Sequence, residues 1–126
     1  MQKKISENEI FEEIKKKANR LEAVCMCGGS SPTESLDLMK EIEKLVKEGN
    51  LLIFETERIP TDERLKEAGM IKIGSGGFQI PRIILPPGSK LISSTWDEER
   101  IRLPTGKIIK FMAPSGNFYL FGYFAF

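Results

Sequence analysis

The chain has 126 residues, 40% of them hydrophobic and 29% charged, which suits a single domain (1–126) with a buried core and excludes wholesale disorder. Its formal net charge of +1 gives no global case for nucleic acid or membrane, and no apolar run reaches the ~18 residues of a membrane helix. It contains no histidine, which removes Ser-His-Asp and Cys-His catalysis, His-based metal sites and imidazole acid–base chemistry.

The start, Met1-Gln2-Lys3-Lys4-Ile5-Ser6, has no apolar signal-peptide core. Two cysteines at i, i+2 make no disulfide framework, so the expected setting is reducing and cytoplasmic. Ser6-Glu7-Asn8-Glu9 is a capping box. Behind it Ile10, Phe11, Ile14, Ala18 and Leu21 share one stripe, while Glu12–Lys16 and Glu13–Lys17 pair at i, i+4. The pattern predicts a helix over about 7–20. Residues 21–27 fit either an extension of that helix or a short buried strand ending at Gly28-Gly29, and the strand is the reading adopted.

Ser31-Pro32-Thr33-Glu34 is a second capping box, with Pro32 at the first helical position. Leu38, Met39, Ile42, Leu45 and Val46 form the buried stripe of the helix that follows, and Gly49 is expected to stop it. Leu51-Leu52-Ile53-Phe54 reads as a buried strand. Together these elements predict a βαβ crossover over 21–56, with the glycine-rich loop at the carboxyl end of its first strand.

Pro60-Thr61-Asp62 starts a short helix that ends at Gly69. Beyond it, Gly- and Pro-rich turns punctuate apolar runs at hairpin spacing. Strands are predicted near 70–73, 78–85, 90–96, 100–103, 107–113 and 118–125. Arg100 and Arg102 alternate with Ile101 and Leu103, giving that strand one wet face. Pro81 places the 78–85 strand at an edge or a bulge.

Three constellations are weighed for function. Gly28, Gly29, Ser30 and Ser31 open a helix, where unpaired N–H groups and the helix dipole favour a small anion or phosphate. The loop lacks the lysine of the Walker motif and the third glycine of the dinucleotide fingerprint, and a plain turn and cap explains it too. Cys25 and Cys27 would share one side of a strand, but no further Cys or His completes a metal site, so buried inert thiols are the simpler reading. Trp96-Asp97-Glu98-Glu99 could seat paired carboxylates beside an apolar ring; a solvated turn accounts for the same letters. Neither a metal nor a cofactor is expected.

Ile83-Ile84-Leu85-Pro86-Pro87-Gly88-Ser89-Lys90-Leu91 resembles, over nine residues, the segment after the catalytic glutamates of ADP-ribosyltransferases. Ile80 and Arg82 stand where that family's Glu-x-Glu would fall, so no transferase activity is carried over. A Pro-Pro-Gly turn between strands explains the segment as well.

The tail from Phe118 holds six of the chain's ten Phe and Tyr residues, with both alternating faces apolar. Such a strand is either central in its sheet or covered by another chain. The expected fold is α+β: two main N-terminal helices packed on a mixed sheet dominated by a C-terminal antiparallel meander or small barrel. The first functional reading is a non-enzymatic interaction or accessory module. It would self-associate, or meet a protein partner, through Phe118, Tyr119, Phe121, Tyr123, Phe124 and Phe126. The second is small-anion binding at residues 28–31. The third is nucleic-acid binding by the basic second half, where residues 70–126 hold 7 Lys/Arg against 3 Asp/Glu. It would use Lys72, Arg82, Lys90, Arg100, Arg102, Lys107 and Lys110, with Phe78 or Trp96 for stacking.

Overall fold

The computed structural model describes residues 6–26, 32–73, 81–112 and 122–126, with the side chains of 24–26, 32, 33 and 57 excepted. The chain forms two compact units, Met1–Leu51 and Leu52–Phe126. The first is a helical hairpin of α1 (Glu7–Met26) and α2 (Pro32–Gly49). Ser6 caps α1, its Oγ accepting from the Glu9 N–H at 3.2 Å, as the capping box predicts. Ile10, Ile14, Ala18 and Leu21 of α1 and Ile42 and Val46 of α2 are buried. The Lys17 ammonium donates to Glu41 at 2.9 Å, and Arg20 to Glu34 at 2.9 Å. These pairs run in opposite chain directions, so the helices are antiparallel.

Two predicted elements change here. Residues 21–26 continue α1, so the strand predicted over 21–27 and the βαβ crossover built on it do not exist. Leu21 keeps the helical step from Ala18 and is buried, Glu22 and Ala23 are strong helix formers, and no breaker intervenes before Gly28. Cys25 therefore sits on a helix, and its spacing to Cys27 no longer places both on one strand face. Gly49 is the last helical residue; Asn50 takes the left-handed position, with φ 51°. Its N–H donates to Lys47 O at 3.2 Å and that of Leu51 to Val46 O at 3.0 Å, the Schellman pattern. A Cβ on Gly49 would lie 3.2 Å from Ile10 Cγ2, so close approach to α1 explains the glycine.

Lys17 gives the hairpin a measurable signature. Its pKa is raised above the ordinary 10.5, chiefly by its hydrogen bond to Glu41, with burial opposing. A raised lysine pKa stabilises the fold below the unfolded-state value, and that contribution fades as pH rises through the folded-state value. A Lys17/Glu41 double-mutant cycle in thermal denaturation is expected to give ~0.2–1 kcal/mol at neutral pH. The coupling should vanish in strong alkali.

The second unit is a seven-stranded mixed sheet in the order β2-β3-β1-β7-β6-β5-β4. Its strands are β1 (Ile53–Arg58), β2 (Ile71–Ile73), β3 (Arg82–Ile84), β4 (Lys90–Ser94), β5 (Glu98–Arg102), β6 (Ile108–Met112) and β7 (Gly122–Ala125). The short α3 (Asp62–Ala68) follows β1. Only β1 and β7 pair in parallel; β4 to β7 are an antiparallel meander. The α+β class and the meander are as the sequence predicts. The sheet stays open, with β2 and β4 at its edges, so the barrel alternative is set aside. The strand predicted over 51–54 begins at Ile53 because Leu51 is held by the α2 cap. β3 is internal, not an edge: Pro81 precedes its first residue, where a missing N–H is tolerated, and the Pro81 carbonyl accepts from Thr56 at 3.0 Å.

One face of the sheet carries the core of this unit. Leu65, Ala68, Met70, Ile83, Leu85, Ile101, Leu103, Ile109 and Phe124 are buried together, with Phe54 and Phe111 against them. Thr61 caps α3 by accepting from the Arg64 N–H at 3.3 Å. Gly69 closes that helix in the left-handed region, φ 70°, where glycine carries no steric penalty. At Gly122 a Cβ would meet the Met112 carbonyl oxygen and come within 2.9 Å of the Phe111 ring. Close approach of β6 therefore explains the glycine. Among the described residues no helix is long and apolar enough to cross a membrane.

Candidate functional site

Residues directly opposite in a sheet send their side chains to the same face, so strand register sorts the cations of β4 to β6, while Arg58 joins them through a register shift between Thr56 and Arg58 on β1 that sets it against Tyr123. Lys90, Arg102 and Ile108 stand abreast on β4, β5 and β6. The next row is Arg100, Lys110 and Ala125. The third is Glu98, Met112, Tyr123 and Arg58, on β5, β6, β7 and β1. The intervening residues Ile101, Ile109, Phe111 and Phe124 point the other way, into the core. The sheet end formed by β4 to β7 is thus apolar on one side and cationic on the other. Arg58, Lys90, Arg100 and Arg102 are exposed and Lys110 is half-buried.

Glu98 is the acid placed within these rows. Arg100 donates to its carboxylate at 2.6 Å, and Lys110 lies 4.0 Å from the same oxygen. Among the described residues these rows hold five cations and one carboxylate, and Glu55, on the same side of β1, is paired with Arg82 at 3.8 Å, so the rows keep a positive excess. The Arg58 guanidinium sits 5.7 Å from the Tyr123 ring centroid, a cation–π contact that fixes both groups on the sheet. Trp96 stands on the β4–β5 turn with 90% of its surface exposed. Thr95 holds that turn: its N–H donates to Glu98 O at 2.8 Å and its hydroxyl lies 2.8 Å from Asp97 Oδ1. This is the solvated turn the acidic run predicts, with the tryptophan projecting from it.

Not every cation predicted for this surface reaches it. Lys72 lies across from Ile83 and Phe54, on the opposite face. Arg82 pairs with Glu55 at 3.8 Å. Its neighbours on that side, Ile71, Ile73 and Ile84, are buried. Lys107 reaches Glu67 of α3 at 3.3 Å. Phe78 lies outside the described residues. Arg58 is the member that sequence reasoning missed. It follows the acidic Glu55 and Glu57, and only the parallel pairing of β1 with β7 brings it to the basic rows.

The aromatic tail meets the first of the two alternatives set for it: β7 is the central strand, flanked by β1 and β6. Phe124 is 8% exposed, and its ring centroid lies 4.9 Å from Phe111 and 5.8 Å from Phe54. Phe126 is partly exposed, with the Arg64 guanidinium 5.4 Å from its centroid. Tyr123 faces the cationic side. Phe118, Tyr119 and Phe121 lie outside the described residues, as do Gly28, Gly29, Ser30 and Ser31. Residues 28–31 fall in the chain between α1 and α2 and not after a strand, which removes the strand-end setting expected for them. Among the described residues no three His, Cys, Asp or Glu side chains converge on a metal-sized site. No protein-family model matches the sequence, and no curated protein or solved structure matches it.

Proposed function

We propose that the chain is a non-enzymatic binding module whose partner is a polyanion, nucleic acid, taken on the outward face of β4 to β7. One observation carries the reading. Arg58, Lys90, Arg100, Arg102 and Lys110 come from four strands, yet pairing gathers them on one side of the sheet with Tyr123 among them; among the described residues the acids on that side are Glu98, within the rows, and Glu55, which is paired with Arg82. Like charges abreast on neighbouring strands destabilise a sheet, so the arrangement favours a role in binding over one in folding. Self-association through the tail has less support, because both edges of β7 are already paired. The free edge of β4 is poorly shaped for strand addition. It begins with Lys90 and bulges between Leu91 and Ser93, and both features blunt an edge.

Binding of a fluorescein-labelled oligonucleotide, followed by anisotropy across a salt series, tests the proposal. Phosphate contacts release counterions, about 0.7 per contact on a single strand. Five contacts predict a log–log slope of about −3.5, and a loss of about a hundredfold between ~50 and ~200 mM salt. Glu98→Gln removes the opposing carboxylate and frees Arg100 and Lys110, so it is expected to tighten binding several-fold and steepen the slope. A polyglutamate peptide that binds more tightly than the oligonucleotide, or oligonucleotide affinity indifferent to salt, would overturn the nucleic-acid reading.

A further inference from the structure

We infer that this face takes nucleic acid as a single strand, with bases stacked on Trp96 and Tyr123. The inference rests on the polyanion reading and adds the state of the ligand and the groups that hold its bases. Two observations independent of the charge carry it.

The first is the exposure of Trp96. A side chain of that size rarely leaves its ring in water, yet this one is 90% exposed. The strand turn beneath it is fixed by the Thr95 hydrogen bonds, so the ring is presented from a rigid base. The turn leads directly into Glu98, the first member of the row that continues through Met112 to Tyr123 and Arg58. Trp96 therefore borders the same row that ends in the Tyr123–Arg58 pair. With strands ~4.8 Å apart, Glu98 and Tyr123 are separated by about 10 Å. The row thus runs across the sheet from the turn that carries Trp96 to Tyr123, with cations on the row beside it.

The second observation is the breadth of the surface. Four strands at ~4.8 Å spacing span about 14 Å before their side chains are counted. That is wider than the ~12 Å major groove of a duplex, which admits a helix or a two-stranded ribbon. A duplex can meet this face only through its phosphates. A single strand can offer phosphates to Arg100, Arg102 and Lys110 and lay its unpaired bases on the rings, as sheet-type single-strand binders do.

Trp96 is the only tryptophan in the chain, so its fluorescence reports the contact directly. Oligothymidylate is expected to quench it on binding. Heparin, a polyanion without bases, should bind without comparable quenching. Trp96→Leu, a change at an exposed position, is expected to weaken oligothymidylate binding by about tenfold or more and to leave heparin affinity unchanged. A matched duplex should bind more weakly than the single strand and be indifferent to Trp96→Leu. If oligothymidylate binds with a steep salt dependence but Trp96→Leu and Tyr123→Leu bind as the parent does, the stacking inference fails and the polyanion reading stands. If the folded parent binds neither oligothymidylate nor heparin, both readings fall.

Discussion

Phe124→Ala is expected to lower the stability of the second unit by about 3–5 kcal/mol, a large share of the ~5–15 kcal/mol of an ordinary domain. The expectation follows from where β7 lies. Phe124 is buried in the middle of a seven-stranded sheet and is packed by three other rings, with Phe54 meeting it edge-on at 88°, Phe111 tilted at 55° and Phe126 at 41°. Removing the ring leaves a cavity between strands that come from opposite ends of the unit, and each surviving ring loses an aromatic contact as well. Little collapse can relieve it. Thr56 on β1 is wholly buried, and its hydroxyl lies 3.2 Å from the Gly122 carbonyl oxygen. Gly122 itself is pressed against Met112 and Phe111. Denaturant titration checks the prediction. A Phe124→Ala chain that melts cooperatively within about 1 kcal/mol of the parent would show that the tail is peripheral to the core.

The same strand shows what the letters of the sequence could convey. Alternation alone located Ile101 and Leu103 in the core and Arg100 and Arg102 outside, because period-two patterning is a local property. Caps were equally legible: Ser6 at α1 and Thr61 with Gly69 at α3 do what their residue types require. A tail apolar on both faces announced a central strand or a covered one, and only pairing decides between them. Pairing with β1 in parallel is non-local, and nothing in residues 122–126 names the partner strand.

Two segments carry conflicting local signals. Residues 21–26 hold both a helical stripe, through Leu21, and a short apolar run. The run suggested a strand, and the uninterrupted helix formers Glu22 and Ala23 prevailed. Gly49 looked like a terminator, but the left-handed position fell to Asn50, because Gly49 is needed where α2 passes Ile10. The basic surface was half legible. A charge count over residues 70–126 found four of its five cations but could not separate them from Lys72, Arg82 and Lys107, since which face a residue occupies depends on register. Arg58 carried no local signal.

Replacing Arg100, Arg102 and Lys110 together by Gln should separate the two roles those residues can have. Their ion pairs are exposed or partly exposed, and contacts of that kind contribute ~0–1 kcal/mol each. Against this stand the like charges held abreast, Lys90 beside Arg102 and Arg100 beside Lys110. The sheet should therefore lose little by the exchange, and relief of repulsion offsets the lost contacts with Glu98. The triple variant is expected to melt at the parental temperature or slightly above it. Its binding should change far more. Three fewer phosphate contacts flatten the salt slope by about 2, and affinity for oligothymidylate at moderate salt should fall by about two orders of magnitude. Binding that persists should still quench Trp96, since the ring is untouched. The opposite pattern, a lower Tm with affinity and slope unchanged, would mean that these cations serve the fold and that the polyanion surface lies elsewhere.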